Sequence, residues 1–315
     1  MSATTPEKVN FPSSGINIVG EFYLFTPGSP SQKGAAIVVG HPSFGVKEQT
    51  AGAYARALSS AGFIALTFDA AYQGESGGLP RMLENPFQRA EDARAAFSYL
   101  TTRSEVDAER IGAMGVCASG GYVPFAAQTD TRMKAVATVS GADFGRIMRE
   151  GLKPKGSITR EQLMEQLAQT NALRNLEAKN GEARMVMMTS PEKSMILESA
   201  PDLVKDAWDY YMTVRGSHPR SAQSWVGRSM DLCANFDAYR FVDMISPRPL
   251  LMIVGEEADT KYFSEEAIRA AEEPKELFII KGKIHVDLYN DLSVTAPKLV
   301  DFFARSLVNT EPNRL

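Results

Sequence analysis

The stretch ERIGAMGVCASGGYVPFAA (109–127) decides how this chain is read. RIGAMGV is a continuous apolar run of the kind expected for a strand buried on both faces, and the apolar residues after Gly121 resume with helical spacing. Between the two, small residues crowd around Cys117: Gly115 lies two positions before it, and Ala118, Ser119, Gly120 and Gly121 follow. A chain that turns sharply from strand to helix needs small neighbours, because its backbone is strained there and passes close to adjacent strands. Such a turn sets the Cys117 sulfur at a helix N-terminus, where unpaired N–H groups stabilise an anion and lower a thiol pKa. The plainer role of a cysteine is that of a small buried hydrophobe. The flanking glycines favour a nucleophile.

Outward from this turn the chain alternates. AAIVVG (35–40), FIALTFDA (63–70), KAVATVSG (134–141), PLLMIVG (249–255) and ELFII (276–280) read as further buried strands, with an edge strand over 16–25. Helices are predicted over 47–62 and 85–103, from Ser119, near 264–273 and over 296–307. Strands alternating with helices imply right-handed βαβ units and hence a doubly wound, mostly parallel α/β sheet. The pattern breaks once, between Asp143 and Ser246, in a stretch rich in Met, Gln and charge. A structureless loop of that length is improbable inside a compact domain. The expected organisation is a core domain formed by 1–143 and 247–315, with a mostly helical cap inserted at 144–246.

Composition removes several classes of function. With 44% apolar and 23% charged residues over 315 positions, the chain is ordinary for a globular protein. A net charge of −4 leaves no basic face for nucleic acid. The N-terminus lacks a secretory pattern, and no apolar run is long enough to span a bilayer, so no membrane partner is expected. Two cysteines, Cys117 and Cys233, suit a reducing compartment, and a cytoplasmic location is the expectation. Three scattered histidines give no metal-ligand spacing, and GESGG (74–78) lacks the context of a phosphate loop; neither metal nor cofactor is expected. The expected partner is a small-molecule substrate, and a homodimer is compatible with the sequence.

Open parallel sheets bind ligands beyond the carboxyl ends of their strands. His285, past the 276–280 strand, stands where the chain order nucleophile, acid, histidine puts a general base. His41 more plausibly shapes its loop, and His218 belongs to the insertion. The acid should follow the 249–255 strand: Asp259 is the first choice, Glu257 the second and Asp143 the third. An oxyanion hole needs two backbone donors aimed at one point. Ala118, after the nucleophile, supplies one, and the HPSFG loop the other, through Ser43 with Phe44 beside it. Glu48 and Tyr72 are candidates for contacting substrate. Read as C-x-S-x-G, the elbow would instead make Ser119 the nucleophile.

HPSFGVKEQ, FDAAYQGESGG, IGAMGVCASGGY, VGEEADTKYFSEEA and IKGKIHVDLY, in this order, resemble the dienelactone-hydrolase-like branch of the α/β-hydrolase superfamily. The resemblance spans both halves of the sheet but not the insertion. It implies the α/β-hydrolase fold and a cysteine in a G-x-C-x-G-G elbow served by an aspartate and a histidine, which fall on Cys117, Asp259 and His285. It also favours Cys117 over Ser119, since RIGAMGVC resembles the usual run ending on the nucleophile. Two departures stand out: Ser119 replaces a glycine of the elbow, and Pro42 occupies the place of a thiol-activating glutamate. The expected chemistry is covalent acyl transfer from an ester, lactone or thioester to water. The Met-rich cap suggests an apolar acyl group. Cyclisation or carbon–carbon cleavage under the cap, with water excluded, is the alternative.

Overall fold

The computed structural model describes residues 5–152 and 156–309. The chain opens with an antiparallel hairpin of β1 (Glu7–Ser13) and β2 (Ile16–Tyr23). It continues through β3 (Ala36–Gly40), α1 (Thr50–Ser60), β4 (Ile64–Phe68), α2 (Pro86–Leu100), β5 (Ile111–Val116), α3 (Ser119–Thr129) and β6 (Val136–Val139). An excursion follows: α4 (Phe144–Glu150), the paired β7 (Gly151–Leu152) and β8 (Gly156–Ser157), α5 (Arg160–Asn180), β9 (Met185–Met187), α6 (Asp202–Tyr211), β10 (Ser224–Val226) and α7 (Ser229–Ala234). The chain then returns through β11 (Leu250–Gly255), α8 (Lys261–Ala270), β12 (Lys275–Ile280), a short helical turn at His285–Tyr289, and α9 (Thr295–Phe303).

Eight strands form one sheet in the order β1-β2-β4-β3-β5-β6-β11-β12, antiparallel for the first two and parallel for the rest. Every residue of β3, β4, β5, β6 and β11 is buried, which is why these strands read as unbroken apolar runs. The chain leaves β3 for β4 on one side and then crosses back over β3 to β5. That reversal opens a crevice at the carboxyl ends of β3 and β5. Core residues cover both faces: Tyr54 and Leu58 of α1 and Phe303 of α9 on one, Ala93, Phe97 and Leu100 of α2 on the other.

Two details depart from the pattern-based expectation. β1 lies outside the strands read from the sequence; it carries Pro12, whose missing donor is tolerated at the edge of a sheet. β12 closes the opposite edge, and of its residues only Ile280 is buried. The described residues of 144–246 contribute no strand to the main sheet. Of the 21 residues of α5 only Thr170 is buried, whereas Tyr210, Tyr211, Trp225 and Cys233 are packed inward. No described helix is long and apolar enough to cross a membrane.

Candidate active site

Cys117 lies between β5 and α3 with φ +56°, a left-handed conformation that costs a non-glycine residue energy and persists only where its surroundings impose it. The imposition is visible. Its N–H donates to Val139 O (3.0 Å), and its carbonyl accepts from Gly120 N–H (2.8 Å) and Ala142 N–H (3.0 Å). The neighbouring glycines are steric requirements: a Cβ on Gly115 would lie 1.9 Å from Ser119 O, and one on Gly120 2.5 Å from Gly141 Cα. The Ala118 amide and the Tyr289 phenol lie beside the Cys117 sulfur. Burial raises the thiol pKa above its ordinary value, and those two neighbours only partly oppose it. The helix-terminus argument for a lowered pKa is therefore outweighed by desolvation. Ser119 faces elsewhere: its hydroxyl donates to His41 O at 2.6 Å.

His285 is completely buried, and burial pushes its imidazole pKa down to about 3. The ring is held at both nitrogens, Nδ1 by Thr260 Oγ1 (2.6 Å) and Nε2 by the Tyr289 hydroxyl (3.1 Å). Tyr289 thus contacts both the thiol and the imidazole. The turn carrying them is braced from outside: Ser140 Oγ donates to His285 O (2.8 Å), Tyr54 Oη to Leu288 O (2.6 Å) and Thr50 Oγ1 to Tyr289 O (2.9 Å).

The three acid candidates fall in different surroundings. Asp259 accepts the Leu203 amide at 3.0 Å. It thereby caps α6, whose own N-cap residue Pro201 supplies no side-chain acceptor. Where the sequence suggested that the Asp259 carboxylate would orient His285, the hydroxyl of the next residue, Thr260, occupies Nδ1. Asp143 is buried as the N-cap of α4, accepting from Arg146 N–H (3.0 Å) and Ala238 N–H (3.1 Å), and burial pushes its pKa up to about 6. Glu257 is exposed.

The HPSFG loop after β3 is tied down by charge. His41 Nε2 accepts from Ala70 N–H (3.1 Å) and from Arg89 (2.9 Å). The proton therefore sits on Nδ1, which donates to Pro42 O at 2.7 Å. Burial and the Arg89 charge hold His41 well below its usual pKa. Arg89 also binds His41 O (3.0 Å) and pairs with the buried Glu84 (3.2 Å). Ser43 is buried, and Phe44 turns the loop at φ +64°. Next in the chain, Lys47 is almost wholly buried among Asp69 (2.9 Å), Glu48 (2.7 Å) and Glu75 (2.7 Å). Burial works against its charge, and these carboxylates more than offset that, raising its pKa. Glu48, a substrate-contact candidate, is thus engaged with Lys47 and with Arg220 of the inserted segment. Tyr72, the other, adopts φ +71° with its ring against Gly78.

Residues of the segment between β6 and β11 contact this region. Ser221 and Gln223 donate to Phe44 O, and Gln49 donates to Gly216 O (2.5 Å). Arg215 holds the His285 turn through Val286 O and Asn290 (both 3.0 Å). Tyr210 and Tyr211 set their ring edges on Tyr289, with centroids 5.0 and 6.3 Å apart. Phe44, Phe144 and Trp225 meet in edge and tilted contacts. These ring contacts are aromatic; Met185, Met187 and Met195 face outward, whereas Met230 is buried and Met148 and Met188 pack against the same core cluster as Cys117. Cys117 is left 8% exposed. The described residues hold no cluster of three potential metal ligands. Thr260, Tyr289, Arg89 and Lys47 were not anticipated; the four-residue spacing of His285 and Tyr289 in HVDLY was the one available signal.

Comparison with known proteins identifies the family. The dienelactone hydrolase family matches residues 21–159. The uncharacterized protein YcjY of Escherichia coli is 37% identical over 308 residues, covering 95% of this chain and 99% of its own. The crystal structure of a hypothetical protein from Pseudomonas aeruginosa superposes with a TM-score of 0.90 at 36% identity, over 98% of this chain and 95% of that one. The acyltransferase DrtE of Aspergillus calidoustus is 26% identical over 291 residues, 87% of this chain and 88% of its own. The chain belongs to the dienelactone hydrolase family of the α/β-hydrolase superfamily and is an enzyme of hydrolase type.

Proposed function

We propose that this enzyme cleaves an ester, lactone or thioester of an apolar small molecule through an acyl-enzyme intermediate on Cys117. The observation that carries the reading is the strained Cys117 elbow, with Ala118 and Tyr289 beside its sulfur and Tyr289 bonded to His285. A neutral thiol beside a neutral imidazole makes a latent nucleophile: the sulfur becomes anionic only as His285 accepts its proton. The tetrahedral oxyanion is received by the N–H groups of Ala118 and of Ser43 or Phe44. Thr260 holds the imidazole, while Asp259 anchors α6 of a cap formed by 144–246. The aromatic wall of Phe44, Phe144 and Trp225 suits an apolar acyl group.

Intact mass spectrometry after mixing with a p-nitrophenyl ester tests the assignment. An adduct is expected on the wild type and on Ser119→Ala, and none on Cys117→Ala. Loss of the adduct only in the serine variant refutes it.

Acyl transfer to an acceptor other than water is a second reading, favoured by the closure of the inserted segment over Cys117. Product analysis with added alcohols and thiols separates the two.

A further inference from the structure

We propose that Tyr289 is a catalytic residue, carrying the proton between the Cys117 thiol and His285. This rests on the assignment of Cys117 as nucleophile and adds a third participant to it. The phenol lies beside the Cys117 sulfur on one side and hydrogen-bonds His285 Nε2, at 3.1 Å, on the other. It therefore has the sulfur and the imidazole as its two polar neighbours. The contact is built, not incidental. Tyr289 is 2% exposed, and its ring is fixed against Tyr210, Tyr211 and His285, with its backbone carbonyl held by Thr50. Thr260 fixes the far nitrogen of the ring through the 2.6 Å bond at Nδ1.

The step balances without any co-reactant. As the sulfur attacks, the C–S bond forms and the carbonyl π pair moves to oxygen. The thiol proton passes to the Tyr289 oxygen while the phenolic proton passes to Nε2, leaving a neutral tyrosine and an imidazolium. On collapse the oxyanion pair returns and the leaving-group bond breaks. The same two protons run backward, one from Nε2 to the phenol oxygen and one from the phenol to the departing oxygen or sulfur. Hydrolysis repeats the sequence with water in place of the thiol. A free tyrosinate is never needed. The Tyr289 pKa, raised well above its ordinary value by burial and then by Cys117, fits such a concerted relay.

The test is Tyr289→Phe, which keeps the ring and deletes the hydroxyl. Acylation by p-nitrophenyl acetate is followed by stopped flow in mixtures of light and heavy water, with intact mass locating the adduct. The expected results are an adduct on Cys117 in both proteins and an acylation rate about 100-fold lower in the variant with little change in KM. The wild-type dependence on deuterium fraction should be curved, reporting two protons in flight, and the variant's linear. A variant that acylates within about threefold of wild type, or a linear wild-type dependence, overturns the relay while leaving Cys117 as nucleophile. An adduct located away from Cys117 in the wild type overturns the underlying assignment. Should the phenylalanine variant fail to fold, 2,3-difluorotyrosine at 289 supplies a more acidic hydroxyl of nearly the same size. A changed acylation rate then supports the relay, and an unchanged one overturns it.

Discussion

Thr260→Val separates two ways of orienting His285. The substitution is nearly isosteric and exchanges only the hydroxyl for a methyl group. Both residues are completely buried, so no bulk water replaces the lost partner at Nδ1. Leaving one buried polar group unpaired costs about 1–3 kcal/mol of stability. The kinetic effect follows from geometry: the ring is held at two points, and with one gone it turns about its last side-chain torsion, a broad and soft one. A loss of about 10- to 100-fold in acylation rate, equivalent to about 1.4–2.7 kcal/mol, is expected. Asp259→Asn, by contrast, keeps an acceptor for Leu203 N–H and should acylate within about threefold of wild type. The assay is stopped-flow acylation beside urea unfolding, so that stability and rate are read separately. Full activity in Thr260→Val together with collapse in Asp259→Asn would refute the assignment and restore the aspartate as the orienting acid.

Iodoacetamide labelling of Cys117 should climb continuously between about pH 5 and 9, because burial raises the thiol pKa and His285 stays neutral; an acid plateau, followed by mass spectrometry, would reveal a thiolate–imidazolium pair instead. His285 titrates near 3 folded against 6.5 unfolded, so the unfolded chain takes the proton first, and stability is lost as pH falls through that window; His285→Gln should flatten this part of a urea-midpoint profile. Lys47→Met leaves Asp69 buried without its cation and should cost about 3–5 kcal/mol in urea unfolding, recovered in part by adding Asp69→Asn. Arg215→Met removes half-exposed ties to the His285 turn, costing no more than about 1 kcal/mol, but should speed labelling of Cys117.

The central strands were legible because burial on both faces forces unbroken apolar runs, and the elbow because close approach to Ser119 and Gly141 admits only glycine at 115 and 120. Edges were harder. β1 carries Pro12 and few large apolar residues, and β12 is buried only at its end. In the site, cysteine and histidine announce themselves by rarity and by place in the strand order, but hydroxyl groups do not. Thr260 and Asp259 are adjacent, and which of them meets the imidazole depends on how the loop after β11 leaves the sheet and on the demand of α6 for a cap, neither of which is encoded locally. The methionines divide for a similar reason: composition says what a segment contains, not which way each residue faces, and Met187 points outward while Met230 is buried.

The carbonyl of Phe44 accepts hydrogen bonds from Ser221 and Gln223, so the loop that would receive the oxyanion shares its fastening with the covering segment. Admitting a ligand therefore loosens the very backbone that must be rigid for turnover, and each cycle has to reset it. A sulfur shuttered between cycles also ages with workload: peroxide should inactivate a busy enzyme faster than an idle one.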